Sequence, residues 1–415
     1  MIRLKNKPRS KLQRDFLCMG LIVVTMTFSN VLSAVPSHAL DQEFSKFIAE
    51  IKKEARAKGI SDVYINVLDT LQPNTRVSEL AARQPEYIRP IWEYLDIMIT
   101  DRRIADGRQK LKEYEVFLHK LSAEYGMPPE VLTTIWGMET NFGAIKGSFP
   151  VLEALATLGY KGRRAKFGRQ QLLAALEILE SGDVSLEDFK GSWAGAMGHT
   201  QFIPTTYLGY AVDATNDDKR DIWTSPHDAL GSTANYLKVS GWRQGVPWGL
   251  QIELPSDFDH GLANLKTKKP ISEWLALGVK GVEREIDPAW GEGAIYLPAG
   301  HRGPVYLATV NFYAILRYNN APAYGLSVGL LSERLSGRDQ HDMAWPSEDR
   351  PLQPHEIKEL QGLLKDAGYE IDLVDGIPGA QTRAAVLQFQ RKHGLIADGY
   401  ATPGVLSQIR KIVRN

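Results

Sequence analysis

Apolar residues recur with a helical period from about residue 41 onward. Phe44, Phe47, Ile48 and Ile51 fall on one face, and Asp41 stands where a cap would begin that helix. A second amphipathic run covers residues 87–99, and helical periods continue through 126–240, broken by Gly-rich loops. Between about 243 and 300 the texture changes. Residues 251–254 and 294–297 alternate like strands among prolines and glycines, which predicts a small mixed lobe. Helices are predicted again over 305–318 and 324–335. Residues 336–351 are polar and aperiodic and mark a linker. Past it come a helix over 357–367, a turn at Asp375-Gly376, and a helix capped by Thr382 that carries Ala385, Val386, Phe389 and Gln390. They predict a small separate domain.

The amino terminus has a different design. Arg3, Lys5, Lys7, Arg9, Lys11 and Arg14 precede an uncharged stretch over 16–35, and small residues follow at Ser37 and Ala39. This is the layout of a secretory signal cleaved after Ala39, with an uncleaved membrane anchor as the alternative. Cleavage would remove Cys18, the only cysteine, so the exported chain would have no disulfide to form. It would also take Lys+Arg from 49 to 43 and Asp+Glu from 49 to 48, for a net charge of −5. The uncleaved chain is balanced at +0, with 43% hydrophobic and 24% charged residues. That is an ordinary globular composition without the basic footprint of a nucleic-acid binder.

One position departs from its pattern. Pro128 and Pro129 suit the first turn of a helix over 128–141, with apolar residues at Leu132, Ile135 and Trp136. The next place on that face is residue 139, and it holds a glutamate. A carboxyl desolvated beside an indole has its charged form disfavoured, so its pKa rises and it can serve as a general acid. The alternative is a glutamate that ends the helix and bends into water.

Four blocks surround this position. They are G-M-E-T-N-F-G at 137–143, S-W-A-G-A-M-G-H-T-Q-F-I-P at 192–204, an acidic stretch from Asp213 followed by D-A-L-G-S-T-A-N-Y-L at 228–237, and N-F-Y-A-I-L-R-Y-N at 311–319. In this order they resemble the B-type lytic transglycosylases of bacterial cell-wall metabolism (glycoside hydrolase family 103). The segment D-G-I-P-G-A-Q-T-R-A-A-V-L-Q-F-Q at 375–390 is similar to the small helical peptidoglycan-binding domain of cell-wall enzymes. The resemblance implies a mainly α (α+β) fold: a lysozyme-like helical core with a small mixed α/β lobe, plus a carboxy-terminal three-helix peptidoglycan-binding domain. The expected parts are a signal peptide over 1–39, a catalytic domain over 40–335, a linker over 336–351 and the binding domain over 352–410. Attaching such a domain raises the local concentration of an insoluble substrate.

The implied reaction breaks the β-1,4 bond between N-acetylmuramic acid and N-acetylglucosamine and leaves a 1,6-anhydro ring. Glu139 would act first as acid and then as base, with no water consumed. A muramidase cutting the same bond with water would need two carboxylates, about 5–5.5 Å apart if retaining and about 6.5–9.5 Å if inverting. No second acidic residue lies in the Glu139 or Ser192 blocks. A non-catalytic wall-binding scaffold is the remaining alternative.

The resemblance also assigns residues to the cleft. Ser192 would orient the carboxyl and Gln201 would hold an acetamido or hydroxyl group. Tyr94, Tyr236, Asn311, Tyr313 and Tyr318 would line the sugar subsites, and Arg163 and Arg164 would meet the acidic stem peptide. Asp213, Thr215, Asp217 and the Lys219 carbonyl have EF-hand spacing, with Asp228 as a late ligand in the resembling family, which suggests a structural calcium, with a solvated acidic loop as the alternative. Two departures stand against it: Asp218 replaces the turn glycine, and residue 224 is threonine where a bidentate glutamate is usual. No cofactor is required by the implied reaction. The expected partners are glycan strands and wall-synthesis or remodelling proteins, and the expected state is a periplasmic monomer.

Overall fold

Prolines and capping hydroxyls set where the helices of this chain begin. Pro129–Thr140, Pro204–Tyr210, Pro226–Val239, Pro322–Leu335 and Pro354–Asp366 each carry proline in the first turn, where its missing N–H costs nothing. Thr100 caps Asp101–Glu113 by accepting from the Arg103 N–H at 3.2 Å, and Ser225 caps Pro226–Val239 through the Asp228 N–H. A computed structural model describes residues 37–82, 89–338 and 344–413, and these are mainly helical with one two-stranded and one five-stranded sheet, as expected of an α+β chain.

Several boundaries differ from the periodicity. The first helix is Ser37–Ala57, so Asp41 lies inside it and does not begin it. The run over 87–99 is the helix Ile91–Met98, and residues 83–88 lie outside the described residues. Most of the expected secretion segment, residues 1–36, also lies outside them. Among the described residues, no helix is long and apolar enough to cross a membrane.

The predicted helix over 305–318 is two elements. Val305–Thr309 is a strand, and the helix is Val310–Tyr318, capped by the Thr309 side chain. Val305-Tyr-Leu-Ala-Thr favours a strand, because four of its five residues are buried and their neighbours on either side are strands. It forms the middle of a five-stranded antiparallel sheet, between Glu292–Tyr296 on one side and Gly249–Glu253 on the other. Trp274 of the short helix Ile271–Ala276 closes one face and donates to the Gly293 carbonyl at 2.9 Å. The mixed lobe therefore extends past residue 300.

The carboxy-terminal helices Pro354–Asp366, Ala380–Lys392 and Pro403–Val413 enclose their own core of Leu360, Leu364, Val386, Phe389, Leu406 and Ile409. Thr382 does not cap the second of them. It is buried one turn inside, where its hydroxyl receives Gln361 Nε2 at 3.1 Å. This domain does not hang free on its linker. Asp398, 3% exposed, accepts the His301 backbone N–H at 3.0 Å and pairs with His301 Nδ1 at 2.7 Å. Arg391 pairs with Asp259 at 2.8 Å, and Trp345 of the linker stacks on Trp92.

Candidate active site

The helix Pro129–Thr140 carries Glu139 out of the buried core. Val131 through Gly137 are buried without interruption, so the helix is fixed along its length before it reaches the acid. Two successive left-handed residues, Asn141 (φ 50°) and Phe142 (φ 58°), then turn the chain back. The Asn141 N–H donates to Gly137 O at 3.0 Å and the Phe142 N–H to Trp136 O at 3.3 Å, which closes the last turn. The reversal lays the Phe142 ring against Gly137. A Cβ at Gly137 would stand 2.6 Å from that ring, so glycine is required there.

His199, from the second block, clamps the same turn. Trp136 Nε1–H donates to His199 Nδ1 at 3.1 Å and Thr140 Oγ1 donates to the His199 carbonyl at 2.6 Å. Burial pulls the imidazole down to about 4, so it is neutral and its Nδ1 is free to accept. Gly143 lies so close that a Cβ there would meet the imidazole at 2.3 Å.

Glu139 keeps a partial opening to solvent, as a residue that meets substrate must. The atoms packed around its carboxyl raise its pKa from the ordinary 4.5 to about 7. Tyr324 donates its hydroxyl to Oε1 at 2.7 Å and favours the charged form, but burial outweighs it. Among the described residues, no other carboxylate contributes to this shift. Three tyrosine hydroxyls sense the glutamate. Those of Tyr318 and Tyr324 are raised well above their usual range by burial and then by the Glu139 charge, and Tyr94 is raised for the same two reasons against the pull of Arg103.

The structure therefore gathers Tyr94 and Tyr318 around Glu139, together with Tyr324, which the motifs did not single out. Tyr236 joins them through an edge-on stack on Tyr318 at 5.3 Å, its hydroxyl donating to the Arg317 carbonyl. Tyr94 also lines a cavity of about 480 Å³ that runs between Trp92, Tyr296 and Pro322 on one side and Arg383 and Tyr400 of the carboxy-terminal domain on the other.

Other candidates have different duties. Ser192 Oγ accepts from the Ala196 N–H at 3.0 Å and shapes its own turn; its hydroxyl makes no bond to Glu139. Gln201, left-handed at φ 55°, donates Nε2 to Lys146 O and Gly198 O and ties the two blocks together. Tyr313 donates to Leu265 O at 2.5 Å and carries the Lys268 ammonium 3.6 Å from its ring centroid. Arg163 is exposed, while Arg164 lies over the rings of Phe167 and Trp193.

Asn311 needs correction as a subsite residue. It is 0% exposed, and its amide is used by the backbone of the 243–246 loop: Oδ1 accepts Arg243 N–H, and Nδ2 donates to Arg243 O and Val246 O. It is a fastener between this helix and that loop.

The acidic loop is gathered into one place. Oxygens of Asp213, Asp217 and Asp228 lie within 4.8 Å of one another. Asp213 accepts the N–H groups of Thr215, Asn216, Asp217 and Asp218, which curls the loop around it. Asp218 takes φ 64°, so it adopts the left-handed backbone of the glycine it replaces. Asp228 is fully buried, and its carboxyl is raised first by that burial and then, against two backbone N–H bonds, by the charges of Asp213 and Asp217. A buried carboxylate facing two others is a donor set suited to a hard cation.

A partly desolvated acid at a helix end, ringed by tyrosines in a mainly helical core, defines a lysozyme-like enzyme that works on glycans. Residues 43–333 match the transglycosylase SLT domain, and residues 353–409 match the putative peptidoglycan binding domain. The chain belongs to the transglycosylase SLT family and is a peptidoglycan lytic transglycosylase of the B type. It is 30% identical over 309 residues to membrane-bound lytic murein transglycosylase B of Escherichia coli, spanning 73% of this chain and 80% of that protein. SltB3 of Pseudomonas aeruginosa, solved with NAG-anhNAM-pentapeptide, superimposes with a TM-score of 0.84 at 46% identity, over 89% of this chain and all of that one. The lytic transglycosylase Slt35 of Escherichia coli, solved with calcium, gives a TM-score of 0.61 at 30% identity, over 72% and 94%.

Proposed function

We propose that this enzyme cleaves the β-1,4 bond between N-acetylmuramic acid and N-acetylglucosamine and leaves 1,6-anhydromuramoyl ends. The observation that carries this reading is Glu139: a carboxyl raised to about 7 by burial, with no second carboxylate among the described residues contributing to that shift. A group with this pKa keeps a substantial protonated fraction near neutral pH, and in that form it gives its proton to the glycosidic oxygen as the bond to the leaving sugar breaks. The carboxylate that remains is stabilised by the Tyr324 hydroxyl at 2.7 Å. It then takes the proton of the muramoyl C6 hydroxyl as that oxygen bonds to C1. One group has returned to its starting state, and no water has been consumed. Tyr94, Tyr236 and Tyr318 supply apolar ring faces with hydroxyl edges, a surface that suits sugar rings.

The test is digestion of purified sacculi with wild type and Glu139→Gln, read by mass spectrometry of the muropeptides. Anhydromuramoyl products from wild type, and a loss of at least about a hundredfold in the variant, are expected. Reducing muramic acid ends would instead establish a hydrolase, and equal turnover by both proteins would remove Glu139 from the chemistry.

The acidic loop would hold a calcium ion through Asp213, Thr215, Asp217, the Lys219 carbonyl and Asp228. Its contribution would be structural, neutralising the buried charge of Asp228. The basic-then-apolar amino-terminal sequence supports export to the periplasm, where the wall polymer is the partner.

A further inference from the structure

The catalytic core and the carboxy-terminal domain enclose the cavity of about 480 Å³ between them, and its lining holds a charge that the chemistry at Glu139 does not use. Trp92, Tyr94 and Tyr296 face it from the core, and Arg383 and Tyr400 face it from the carboxy-terminal domain. Burial raises the Tyr94 hydroxyl, and the Glu139 charge raises it further. One end of the cavity therefore lies within the electrostatic reach of the acid.

Four charged residues line this space: Arg89, Asp349, Arg350 and Arg383. Arg350 grips both oxygens of Glu356 at 2.6 Å each, and Asp349 pairs with Arg302. Arg89 is exposed to water. Arg383 differs from all three. It is half-buried, and its Nη2 donates to two backbone carbonyls, Ala263 O at 3.2 Å and Asp398 O at 3.4 Å. No carboxylate among the described residues pairs with it. Its stem crosses Gly399, where the backbone is left-handed (φ 68°) and a Cβ would stand 2.8 Å from Arg383 Cγ. The hydroxyls of Tyr296 and Tyr400 are both raised by burial, and both are pulled the other way by the Arg383 charge. The guanidinium thus stands among phenols of both domains with its charge unmatched. Taking a cation out of water is unfavourable unless an anion meets it, and here that anion has to come with a ligand.

We propose that Arg383 receives a carboxylate of the stem peptide on the strand being cut, with the aliphatic part of the peptide against the rings of Trp92, Tyr296 and Tyr400. The carboxy-terminal domain then selects strands that carry peptide, in addition to holding the wall. A planar guanidinium offers a carboxylate two parallel N–H bonds, and apolar ring faces beside it exclude water from the pair. A glycan stripped of peptide brings no anion and leaves Arg383 unmatched. This assignment rests on the reading of Glu139 as the cutting acid and adds the part of the substrate held beyond it.

The experiment measures KM and kcat of the full-length enzyme on three soluble wall tetrasaccharides. One carries stem peptides, one carries the same peptides amidated at their carboxylates, and one carries no peptide. In wild type, amidation should raise KM about tenfold, the scale of a lost charge-assisted pair, with little change in kcat. The peptide-free substrate should behave like the amidated one. In Arg383→Met the free and amidated peptides should give the same KM. Arg383→Lys also loses the Nη2 bond to the Ala263 carbonyl but keeps a cation, so it should recover most of the discrimination. If both variants lose it alike, with equally lowered melting midpoints, Arg383 is a structural tie and the assignment falls. Equal KM for free and amidated peptides in wild type overturns it, as does discrimination undiminished in Arg383→Met. Failure of wild type to release anhydro ends from any of the three overturns the Glu139 reading itself, so the two failures are distinguishable.

Discussion

Tyr324 and Glu139 lie 185 residues apart in the chain, yet the phenol donates to Oε1 at 2.7 Å. The bond favours the ionised carboxylate, so it opposes the burial that raises the pKa. Removing it in Tyr324→Phe should raise the Glu139 pKa further. The high-pH limb of the rate profile then moves upward by roughly one unit, since hydrogen bonds to charged groups contribute about 1.5–3 kcal/mol. The maximal rate should fall about tenfold as the acid loses its orientation. Solubilisation of sacculi between pH 5 and 9 measures both effects, and a limb that stays put or moves down sinks the idea.

Glu139 should also make the fold less stable as pH rises. Its ordinary pKa of 4.5 is raised to about 7 in the native state, so the native protein binds more protons than the unfolded chain between these values. The stabilisation is complete below about 4.5 and is lost as pH climbs through 7, a change of roughly 3 kcal/mol. Glu139→Gln has no such loss. It should match wild type at pH 4 and exceed it at pH 8 by an amount approaching that figure, read from denaturant midpoints. Equal midpoints at pH 8 would mean that the carboxyl titrates like an exposed one.

Asn311→Ala should damage stability and spare substrate affinity. The amide serves three backbone groups of the 243–246 loop, and each group left unsatisfied costs roughly 1–3 kcal/mol. A melting midpoint lowered by several degrees with an unchanged KM is expected. A raised KM at constant midpoint would return Asn311 to the sugar subsites.

The acidic loop makes a separate prediction. Calcium at about a hundredfold over its Kd should stabilise wild type by roughly 2.7 kcal/mol. Asp213→Ala should abolish that increment, because Asp213 orders the loop and would supply a ligand. Melting curves with calcium and with chelator check it, and identical wild-type curves would leave the loop as a solvated acidic turn.

Much of this was legible before the structure. The helix ending in Glu139 follows from two prolines and an apolar face, both local signals. Tyr324 was not legible as a partner of the acid, because nothing near position 324 points to a residue 185 positions away. Strand Val305–Thr309 reads as helix in the sequence because short buried runs look alike in either state, and only its neighbours in the sheet decide. Asn311 was misplaced for a related reason: a motif identifies a residue without saying which way it faces. Thr382 reads as a cap in the sequence, yet its hydroxyl is bonded to Gln361, again a contact between distant positions.

The clasp of Asp398 on His301 has a last implication. An arm that flails on a loose strap lets its blade strike anywhere within reach; an arm bolted at the elbow strikes at one distance. With the wall held by that domain, Glu139 would act as a gauge as well as a cutter, and the fragments it sheds would cluster around a single length.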